Sequence, residues 1–475
     1  MLGGTPQLEL PWGFELVGKL PRTSGLKCPK LNGSVSEYVT RCSKEFPQLA
    51  TLDAKAKERF EWPGENRRAD ELDSLISHSN KYFRPSSQAS SPTTDVLQRI
   101  LYECEKAYAP CVWRVHDDFD SFEAYKHALH RLDMTSSPGY PYMKEAPTNG
   151  QWLKWNGVSV DEIQSLRLWH DVQLVFNDQY EHINRVFIKQ EPHKVSKAEE
   201  KRWRLIIASS LPVQVAWHML FYQMNDLEID KAYQIPSQQG VVLVGGGWRL
   251  FSRSWVERGL TYGLDKSAWD WTAPVWALNL DLEFRKRMAR GPRLEAWHSI
   301  AKTLYRHMFE ESKLLLSDGS LYQQIVPGVM KSGCVNTIST NSHCQVFVHI
   351  AVSLDLGLDP EPLPVCCGDD TLQHEKHVHD LDAYRKYGIV VKSAAPMEFV
   401  GHEFHENGPY PLYVLKHIRK MHYVPADILP QYFDSMARMY VHTPYFDMWE
   451  NLANCAGINL PMSRESYLFW YDHSC

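Results

Sequence analysis

Two short apolar runs of this chain end in aspartates, and polar sequence follows each of them. The run TYGLD reaches Asp265, and Asp270 follows five positions later, just before a helical stretch. The run VCCGDD reaches Asp369 and Asp370, 104 positions beyond Asp265. A carboxylate at the end of a strand can point into a cleft and bind a hard cation such as Mg²⁺. Because metal-dependent chemistry needs convergent oxygen ligands, we expect Asp265, Asp369 and Asp370 to lie within a few ångströms of one another.

Each of these aspartates also has an ordinary structural interpretation. Asp265 and Asp270 suit a turn and a helix N-cap, and Gly368 with the two aspartates that follow it is typical of a tight hairpin turn. Two adjacent carboxylates repel each other unless water or a cation neutralises them. The apolar character of the VCC run makes a cation the favoured explanation.

The surrounding sequence alternates helical stretches with short apolar runs. Helical periodicity covers residues 159–176, 211–230, 273–288 and 294–310, and the short apolar runs include 260–264, 365–367 and 389–391. This mixture predicts an α+β fold with a small sheet and many covering helices. The composition agrees, since 44% hydrophobic and 23% charged residues are ordinary for a globular protein and argue against disorder, collagen and coiled coil.

A small-residue junction followed by a polar helix face lies between the two acidic segments. Ser332 and Gly333 open a helical pattern in which Thr337 and Asn341 are four residues apart and therefore share one face. Small residues at such a junction let the backbone approach a substrate closely. A helix N-cap with a polar face is the alternative interpretation.

One segment is strongly basic although the chain as a whole is acidic. Residues 185–204 contain seven Lys or Arg and three Glu, a local charge of +4 against a net charge of −6 for the chain. Phosphates are the natural partner of such a segment, and we expect it to bind phosphates in preference to protein. A solvated charged surface is the alternative interpretation.

Several other classes of site are not indicated. No run of 18 apolar residues predicts a transmembrane helix, and the first 20 residues are unlike a secretory signal. The chain has no CxxC pair of the kind that builds zinc sites. The GGG at 245–247 lacks the Lys-Ser/Thr of a P-loop, and TSSPGYPY at 135–142 predicts only an ordered loop.

Taken together and in this order, the segments resemble a viral RNA-dependent RNA polymerase of positive-strand RNA viruses, most like the sobemovirus and luteovirus-like group. TSSPGYPY is similar to motif G, the basic segment to motif F, DKSAWD to motif A, SGCVNTISTNS to motif B, CGDD to motif C, residues 387–392 to motif D and MEFVGHEF to motif E. The resemblance covers about residues 135–404. It implies a right-hand fold of fingers, palm and thumb, with a small antiparallel palm sheet covered by helices.

The resemblance also implies a division of the chain. The expected parts are an N-terminal extension and fingertips at 1–130, fingers with motifs G and F at 131–260, a palm with motifs A to E and some finger insertion around 290–325 at 261–404, and a thumb at 405–475.

The implied chemistry is RNA-templated transfer of nucleotides from NTPs to an RNA 3′-OH, with two Mg²⁺ ions for which Mn²⁺ can substitute. Asp265, Asp369 and Asp370 match the family's metal ligands, and Lys392 matches a candidate general acid. The positions that match NTP-binding or ribose-binding residues are Asp270, Ser332, Gly333, Thr337, Asn341, Lys189, Lys197, Arg202 and Arg204. Asp270 and Asn341 are expected to hydrogen-bond to each other or to converge on one small polar pocket beside the metal site. The positions that match the template-binding motif are Ser136, Ser137 and Gly139.

Two further residues of the basic segment take roles from the resemblance. Glu191 is expected to tie this segment to the fingers through an ion pair, and His193 stands where relatives can carry a basic residue. The implied partners are RNA template and product, NTPs and other viral replication proteins, with a genome-linked primer protein if initiation is protein-primed. The implied location is the host cytoplasm, at membrane-associated replication complexes to which another viral protein supplies the anchor.

Three other functions share some of these features. A reverse transcriptase carries a bulky aromatic gate where Asp270 stands and usually lacks the SG…T…N helix. A non-catalytic viral RNA-binding protein needs the basic segment but not the separated acidic positions. A Mg²⁺-dependent nuclease needs the carboxylates but not a ribose-reading Asn341.

Overall fold

The structure, a computed structural model, describes residues 9–27 and 29–473. Residues 1–8 and 28 of the predicted N-terminal extension, and 474–475 of the predicted thumb, lie outside the described residues. No helix in the described ranges has an apolar stretch long enough to cross a lipid bilayer.

Helices make up most of the regular structure. The α-helices are Gly33–Cys42 (α1), Pro47–Arg59 (α2), Glu71–His78 (α3), Arg84–Ser87 (α4), Thr94–Ala107 (α5), Phe122–Leu129 (α6), Asn149–Trp152 (α7), Glu162–Phe176 (α8), Val195–Glu199 (α9), Leu211–Asp230 (α10), Gly247–Glu257 (α11), Trp269–Thr272 (α12), Val275–Met288 (α13), Leu294–Phe309 (α14), Thr337–Asp355 (α15), Val414–Met421 (α16), Leu429–Met439 (α17), Phe446–Cys455 (α18) and Arg464–Asp472 (α19).

The strands are short and form small sheets. They are Phe14–Lys19 (β1), Phe60–Glu61 (β2), Trp113–Arg114 (β3), Ile183–Ile188 (β4), His193–Lys194 (β5), Leu205–Ala208 (β6), Leu260–Lys266 (β7), Ala289–Arg290 (β8), Lys313–Leu315 (β9), Ser320–Gln324 (β10), Val365–Cys367 (β11), Asp370–His374 (β12), Val391–Pro396 (β13), Glu398–Phe399 (β14), His402–His405 (β15) and Gly408–Pro411 (β16). The predicted α+β class is confirmed.

The elements predicted from strong periodicity lie close to their predicted bounds. Helix α10 and strand β11 begin and end where the pattern does, and α13 and α14 differ from it by one or two residues. Helix α8 begins three residues later than the pattern suggests, because the side chain of Asp161 accepts a hydrogen bond from the Gln164 amide and caps the helix there.

The sheet that carries the acidic segments has four antiparallel strands in the order β11-β12-β7-β13. Leu264 of β7 is paired with Thr371 of β12, so the next residues, Asp265 and Asp370, lie at the same end of neighbouring strands. Helix α15 packs against β11, and the long helices α10, α13 and α14 belong to the same hydrophobic core. The sheet therefore has a helix-covered face and an end that displays carboxylates.

A second sheet joins the basic segment to distant parts of the chain. Its strand order is β1-β10-β9-β4-β6, with β4 and β6 forming the antiparallel pair of the basic segment. Strands β9 and β10, at residues 313–324, come from the stretch in which a finger insertion is expected. The basic segment is thus backed by a sheet whose strands are far apart in sequence.

The two ends of the described chain share one hydrophobic core. Val35 and Leu49 of the first two helices are fully buried against Ile418, Phe433 and Trp449 of the last 60 or so residues. Polar contacts reinforce this core, since the His422 Nε2 and Asp53 Oδ1 atoms are 2.6 Å apart. The predicted thumb segment is therefore completed by helices α1 and α2.

Candidate active site

A cleft of about 510 Å³ opens beside the four-stranded sheet. Its walls come from the basic segment, from the four-stranded sheet and from the region around the start of α16. The charged residues that line it are Glu191, Lys194, Lys197, Arg204, Asp265, Asp370, Lys392, Glu398 and Lys416. Cations and carboxylates from distant segments therefore meet in one solvent-accessible space.

Strand geometry directs Asp265 into this cleft. Successive side chains of a strand point to opposite faces, so Leu264 and Lys266 are buried while the Asp265 side chain remains 62% exposed. Lys392 of the neighbouring strand β13 approaches it, with 3.5 Å between Lys392 Nζ and Asp265 Oδ2. The sequence-predicted metal ligand and the predicted general acid are therefore neighbours.

The other two aspartates belong to the hairpin between β11 and β12. Cys367 pairs with Asp370, which leaves Gly368 and Asp369 as the two-residue turn. Gly368 has φ +62°, a left-handed conformation that favours glycine. Its amide donates to the Ser342 hydroxyl at 2.9 Å, so helix α15 fixes the position of the turn.

The three carboxylates influence one another. Crowding by surrounding protein, together with the negative charges of Asp369 and Asp265, raises the pKa of Asp370 to about 6, although Lys266 opposes this shift. No set of three or more His, Cys, Asp or Glu side chains in residues 9–27 and 29–473 is grouped to hold a metal ion. The three-carboxylate metal site therefore stays a prediction, but Asp265 and Asp370 line the cleft, and a cation would relieve the repulsion that Asp369 and Asp265 exert on Asp370.

Lys266 is a buried cation beneath the acidic residues that sequence reasoning did not find. Its Nζ donates to the Thr371 hydroxyl at 3.1 Å, on the helix-covered side of the sheet. Burial lowers the pKa of Lys266 to about 8, while the three aspartates oppose the shift. A lysine next to an aspartate is typical of an exposed segment. Only the alternation of buried and exposed positions along the strand could have indicated that Lys266 is buried.

Asp270 and Asn341 form the hydrogen bond that the sequence predicts for a shared polar pocket. Asn341 Nδ2 donates to Asp270 Oδ1 at 3.1 Å, and Trp269 Nε1 donates to Asn341 Oδ1 at 3.0 Å. The short helix α12 carries Asp270 and the long helix α15 carries Asn341. The predicted contact is confirmed, and the nitrogen and the oxygen of the Asn341 side-chain amide are each held by a hydrogen bond.

Asp270 is also poised to titrate near neutral pH. Burial first, and then the charge of Asp369, raise the pKa of Asp270 to about 7, although the Asn341 hydrogen bond opposes this. In the unfolded chain an aspartate has a pKa of about 3.9. Between these two values the folded state keeps a proton that the unfolded state has lost, so the stability contributed by this group falls as pH rises.

The variant Asp270→Asn should therefore gain stability relative to the unaltered protein at pH 8 but not at pH 5. The expected difference is about 1–2 kcal/mol, less than the full shift implies, because the side chain is partly exposed. Urea unfolding in EDTA at both pH values measures it. The exposed Asp427→Asn serves as the control, and an equal change at both pH values for Asp270→Asn would contradict the raised pKa.

The hydroxyls at the junction before α15 bond to the protein backbone. The Ser332 hydroxyl lies 3.3 Å from both the Leu205 carbonyl and the Ile207 amide of β6, and the Thr337 hydroxyl donates to the Cys334 carbonyl at 2.6 Å. Both hydroxyls are already used by backbone groups. Ser332 and Thr337 therefore hold the loop in place, and ribose binding by them stays a prediction because each hydroxyl can still accept a hydrogen bond.

Gly333 packs directly against strand β6, and its predicted contact with substrate stays a prediction. Its amide donates to the Ile207 carbonyl at 3.0 Å, and a Cβ added to Gly333 would lie 2.3 Å from that oxygen. The absence of a side chain lets the loop before α15 pack directly on strand β6.

The variant Gly333→Ala should destabilise the fold by about 1–3 kcal/mol, the usual cost of forcing extra atoms into a filled space. Gly33→Ala is the matched control, because a Cβ at Gly33 meets nothing within 4 Å. Urea unfolding compares the two variants, and equal stabilities would mean that β6 can move aside without cost.

The basic segment presents only some of its predicted cations to the cleft. Lys197 and Arg204 line the cleft, and burial lowers the pKa of Lys197 to about 8. Arg202 is a correction: its side chain is buried, it donates to Glu200 Oε2 at 3.0 Å and it stacks over the Tyr82 ring. Lys189 does not line the cleft but reaches Glu191, with 3.7 Å between Nζ and Oε2.

Glu191 forms the predicted ion pair, but with a different part of the chain. Its partner beyond the basic segment is Lys416 of α16, where a fingers residue was expected. Burial alone would raise the pKa of Glu191, but the charges of Lys416, Arg204 and Lys189 outweigh it and lower the pKa to about 2. Glu191 therefore stays ionised and bridges the basic segment to α16.

His193 has a structural role in the basic segment. Its Nε2 accepts from the Arg204 amide at 3.0 Å and its Nδ1 donates to the Glu191 carbonyl at 2.8 Å, which requires a neutral ring. Burial agrees with this assignment because it lowers the pKa of His193 to about 4. The ring therefore supplies no charge at neutral pH.

The predicted template loop is tightly organised. The Ser136 hydroxyl donates to Asp133 Oδ2 at 2.8 Å, and the Ser137 hydroxyl accepts from Arg185 at 3.3 Å. Gly139 has φ +68°, and a Cβ there would lie 2.6 Å from the Ser209 carbonyl. The loop thus packs against the start of α10 beside strand β4, and template binding by it stays a prediction.

A buried charge network fixes helix α15 from below. His343 Nδ1 lies 2.6 Å from Asp281 Oδ1, His343 Nε2 contacts Glu228, and Arg285 Nε donates to Asp281 Oδ2 at 3.1 Å. Burial alone would lower the pKa of His343, but Glu228 and Asp281 outweigh it and raise the pKa. The negative charges of Glu228 and Asp281 are thereby balanced by the positive charges of Arg285 and His343. The sequence did not predict this network because its residues come from three separate helices.

Comparison with protein families matches residues 66–375 to the model described as viral RNA-dependent RNA polymerase. Similar curated proteins include "Protein P1-P2" of Potato leafroll virus, 27% identical over 84% of this chain and 39% of that protein. "Replicase polyprotein P2AB" of Southern bean mosaic virus is 30% identical over 71% of this chain and 35% of that protein. This chain therefore spans well under half the length of these relatives.

A shorter relative and a solved structure complete the comparison. The "RNA-directed RNA polymerase" of Mushroom bacilliform virus is 32% identical over 45% of this chain and 54% of that protein. The solved "Sicinivirus 3Dpol RNA dependent RNA polymerase" superposes with a TM-score of 0.71, covering 96% of this chain and 98% of its own. At 16% identity, this last match establishes a shared fold.

Proposed function

Because this chain belongs to the viral RNA-dependent RNA polymerase family, we propose that it copies RNA templates into RNA for viral genome replication and transcription. The observation that carries the proposal is a cleft lined by acidic strand ends and by cations of the basic segment, together with the Asp270–Asn341 pair, on which the charges of Asp369 and Arg204 act. An RNA-binding protein does not need the first of these, and a nuclease does not need the last.

Polymerases of this family use divalent metal ions, and Mg²⁺ is the ion we propose here, as a pair of ions that Mn²⁺ can replace. Asp265, Asp369 and Asp370 are the residues that would hold them. Bound ions would activate the 3′-OH of the growing RNA and neutralise the triphosphate. The pKa of Asp370 is raised by burial and then by the charges of Asp369 and Asp265, and a bound cation would offset both effects, which supports this assignment.

The remaining steps fall to the protein's own side chains. Lys197 and Arg204 would bind the triphosphate, since both cations line the cleft. Lys392 would donate a proton to the departing pyrophosphate, a role supported by its position 3.5 Å from Asp265. Asp270 and Asn341 would hydrogen-bond the 2′-OH, the group that separates RNA from DNA precursors. The loop with Ser136, Ser137 and Gly139 would position the template.

The proposed partners are RNA template and product, NTPs, other viral replication proteins and, if initiation is protein-primed, a genome-linked primer protein. We propose the host cytoplasm as the location, at membrane-associated replication complexes. The relatives support an association with other replication proteins, because they are longer and one is named a replicase polyprotein.

Primer extension on a defined RNA template tests the proposal. The expected result is Mg²⁺-dependent extension with the four NTPs and little extension with dNTPs. Extension with dNTPs alone would identify a reverse transcriptase, primer degradation a nuclease, and RNA binding without either reaction a non-catalytic protein. Repeating the assay with Mn²⁺ in place of Mg²⁺ would show whether Mn²⁺ also supports synthesis.

A further inference from the structure

The carboxylate of Glu191 lies where three cations converge at the edge of the cleft. Arg204 Nη1 is 2.9 Å from Glu191 Oε1, and Lys416 Nζ is 3.2 Å from Glu191 Oε2. Lys189 Nζ is 3.7 Å from Oε2. Lys416 is 225 positions from Glu191 in the chain, so this cluster joins two walls of the cleft.

The cluster has more positive than negative charge. One carboxylate contacts three cations, so the excess within this cluster is two positive charges. The side chain of Glu191 is 15% exposed, whereas those of Arg204 and Lys416 are 54% and 29% exposed. The cations can therefore be reached from the cleft more easily than the carboxylate that they contact.

The geometry of this cluster imitates a bound phosphate. A carboxylate oxygen and a phosphate oxygen are alternative acceptors for the same arginine and lysine donors. An arginine has five N–H donors and a lysine three, and the contacts with Glu191 use only part of this capacity. A polyphosphate that enters the cleft meets donors that are already gathered and oriented.

We propose that Glu191 occupies a phosphate position while the cleft is empty, and that Lys416 is a phosphate-binding residue which α16 contributes to the same site. This inference rests on the proposed function and names the part of the site that receives the triphosphate. Glu191 is a positioning residue: it holds Arg204 and Lys416 together and competes with the phosphates for them. Competition weakens the binding of substrate and of pyrophosphate alike, and so favours release of the product.

The alternative is a purely structural clamp. In that case the ion pair of Glu191 and Lys416 only joins the basic segment to α16. Neither residue would then contact phosphate, and each would change phosphate affinity only by shifting the other. The two possibilities differ in what happens when Lys416 is altered after Glu191 has already been neutralised.

The experiment measures binding of inorganic pyrophosphate by titration calorimetry, at fixed Mg²⁺ and fixed ionic strength, to the full chain. Glu191→Gln should bind pyrophosphate about tenfold more tightly, and Lys416→Met about tenfold more weakly, the size of one charge-assisted contact. In the Glu191→Gln background, Lys416→Met should still weaken binding about tenfold. Lys416→Arg should restore affinity, since it keeps the charge.

Two further measurements separate a phosphate contact from lost structure. Lys420→Met alters an exposed lysine of the same helix that does not line the cleft, and pyrophosphate affinity should not change. In primer extension, Lys416→Met should raise the KM for NTP about tenfold with a smaller change in kcat. If Lys416→Met unfolds, Lys416→Gln takes its place, with thermal unfolding as the check.

The inference is overturned if Lys416→Met has no effect in the Glu191→Gln background, or if Glu191→Gln binds pyrophosphate no more tightly than the unaltered chain. These outcomes are distinct from failure of the proposed function, because pyrophosphate binding requires no RNA synthesis. If the variants show the expected pyrophosphate affinities but the chain does not extend primers, the phosphate site is supported and the proposed polymerase function is contradicted.

Discussion

Replacing Asp369 with alanine is expected to lower the rate of nucleotide incorporation by about 10³-fold or more while the protein stays folded. Metal-assisted charge stabilisation is worth several kcal/mol, and about 1.4 kcal/mol corresponds to each factor of ten. The side chain of Asp369 is exposed in the turn between β11 and β12, where it carries little packing. Activity should therefore be lost without a loss of stability.

Single-nucleotide extension of a labelled RNA primer measures the rate, and thermal unfolding measures the stability. Asp382→Ala is the matched control, since this aspartate has an 87% exposed side chain away from the cleft. Incorporation by Asp369→Ala within tenfold of the unaltered protein would exclude Asp369 as a metal ligand.

Sugar selection is expected to depend on the Asp270–Asn341 pair. A site that hydrogen-bonds a hydroxyl rejects the analogue without it, because the polar groups of the site are then left unpaired. One lost partner typically costs about 1–3 kcal/mol. Asn341→Ala and Asp270→Ala should each narrow the preference for NTP over dNTP by roughly one to two orders of magnitude, with the larger effect at the charged Asp270.

Values of kcat/KM for GTP and dGTP on each variant decide this prediction. Ile338→Ala is the control, because this residue is an exposed member of the same helix α15. If the GTP to dGTP ratio of both variants equals that of the control, the ribose is recognised elsewhere in the cleft.

The acidic strand ends and the polar pair were predictable because local rules govern them. Strand alternation directs Asp265 outward, a two-residue hairpin places Asp369 at its turn, and helical spacing puts Asn341 on the face that meets Asp270. The expected right-hand polymerase fold is likewise confirmed by the solved relative. The strand ends and the polar pair depend on periodicity and turn chemistry within a few residues, whereas the right-hand fold was expected from the resemblance.

Other features depend on where distant segments meet, which no local pattern contains. Arg202 and Arg204 are neighbours in the basic segment, yet one is buried on Tyr82 and the other lines the cleft. The sequence around Lys266 is typical of a surface lysine, but the side chain is buried on one face of the sheet, where it donates to Thr371. The Ser332 hydroxyl donates to the Leu205 carbonyl of strand β6, a contact that its own sequence context does not indicate. In each case the contacting residue lies in another helix or strand, so the tertiary structure determines whether the side chain is buried or exposed.

The core shared by α1, α2 and the helices near the other end of the described chain has a consequence for biosynthesis. Helices α1 and α2 cannot bury Val35 and Leu49 until Ile418 and Trp449 have been translated. At about 5–20 residues per second, the roughly 370–415 positions between these residues correspond to a delay of about 20–80 s. During this interval the two nascent helices expose apolar faces, and chaperones would have to shield them until the partner helices leave the ribosome.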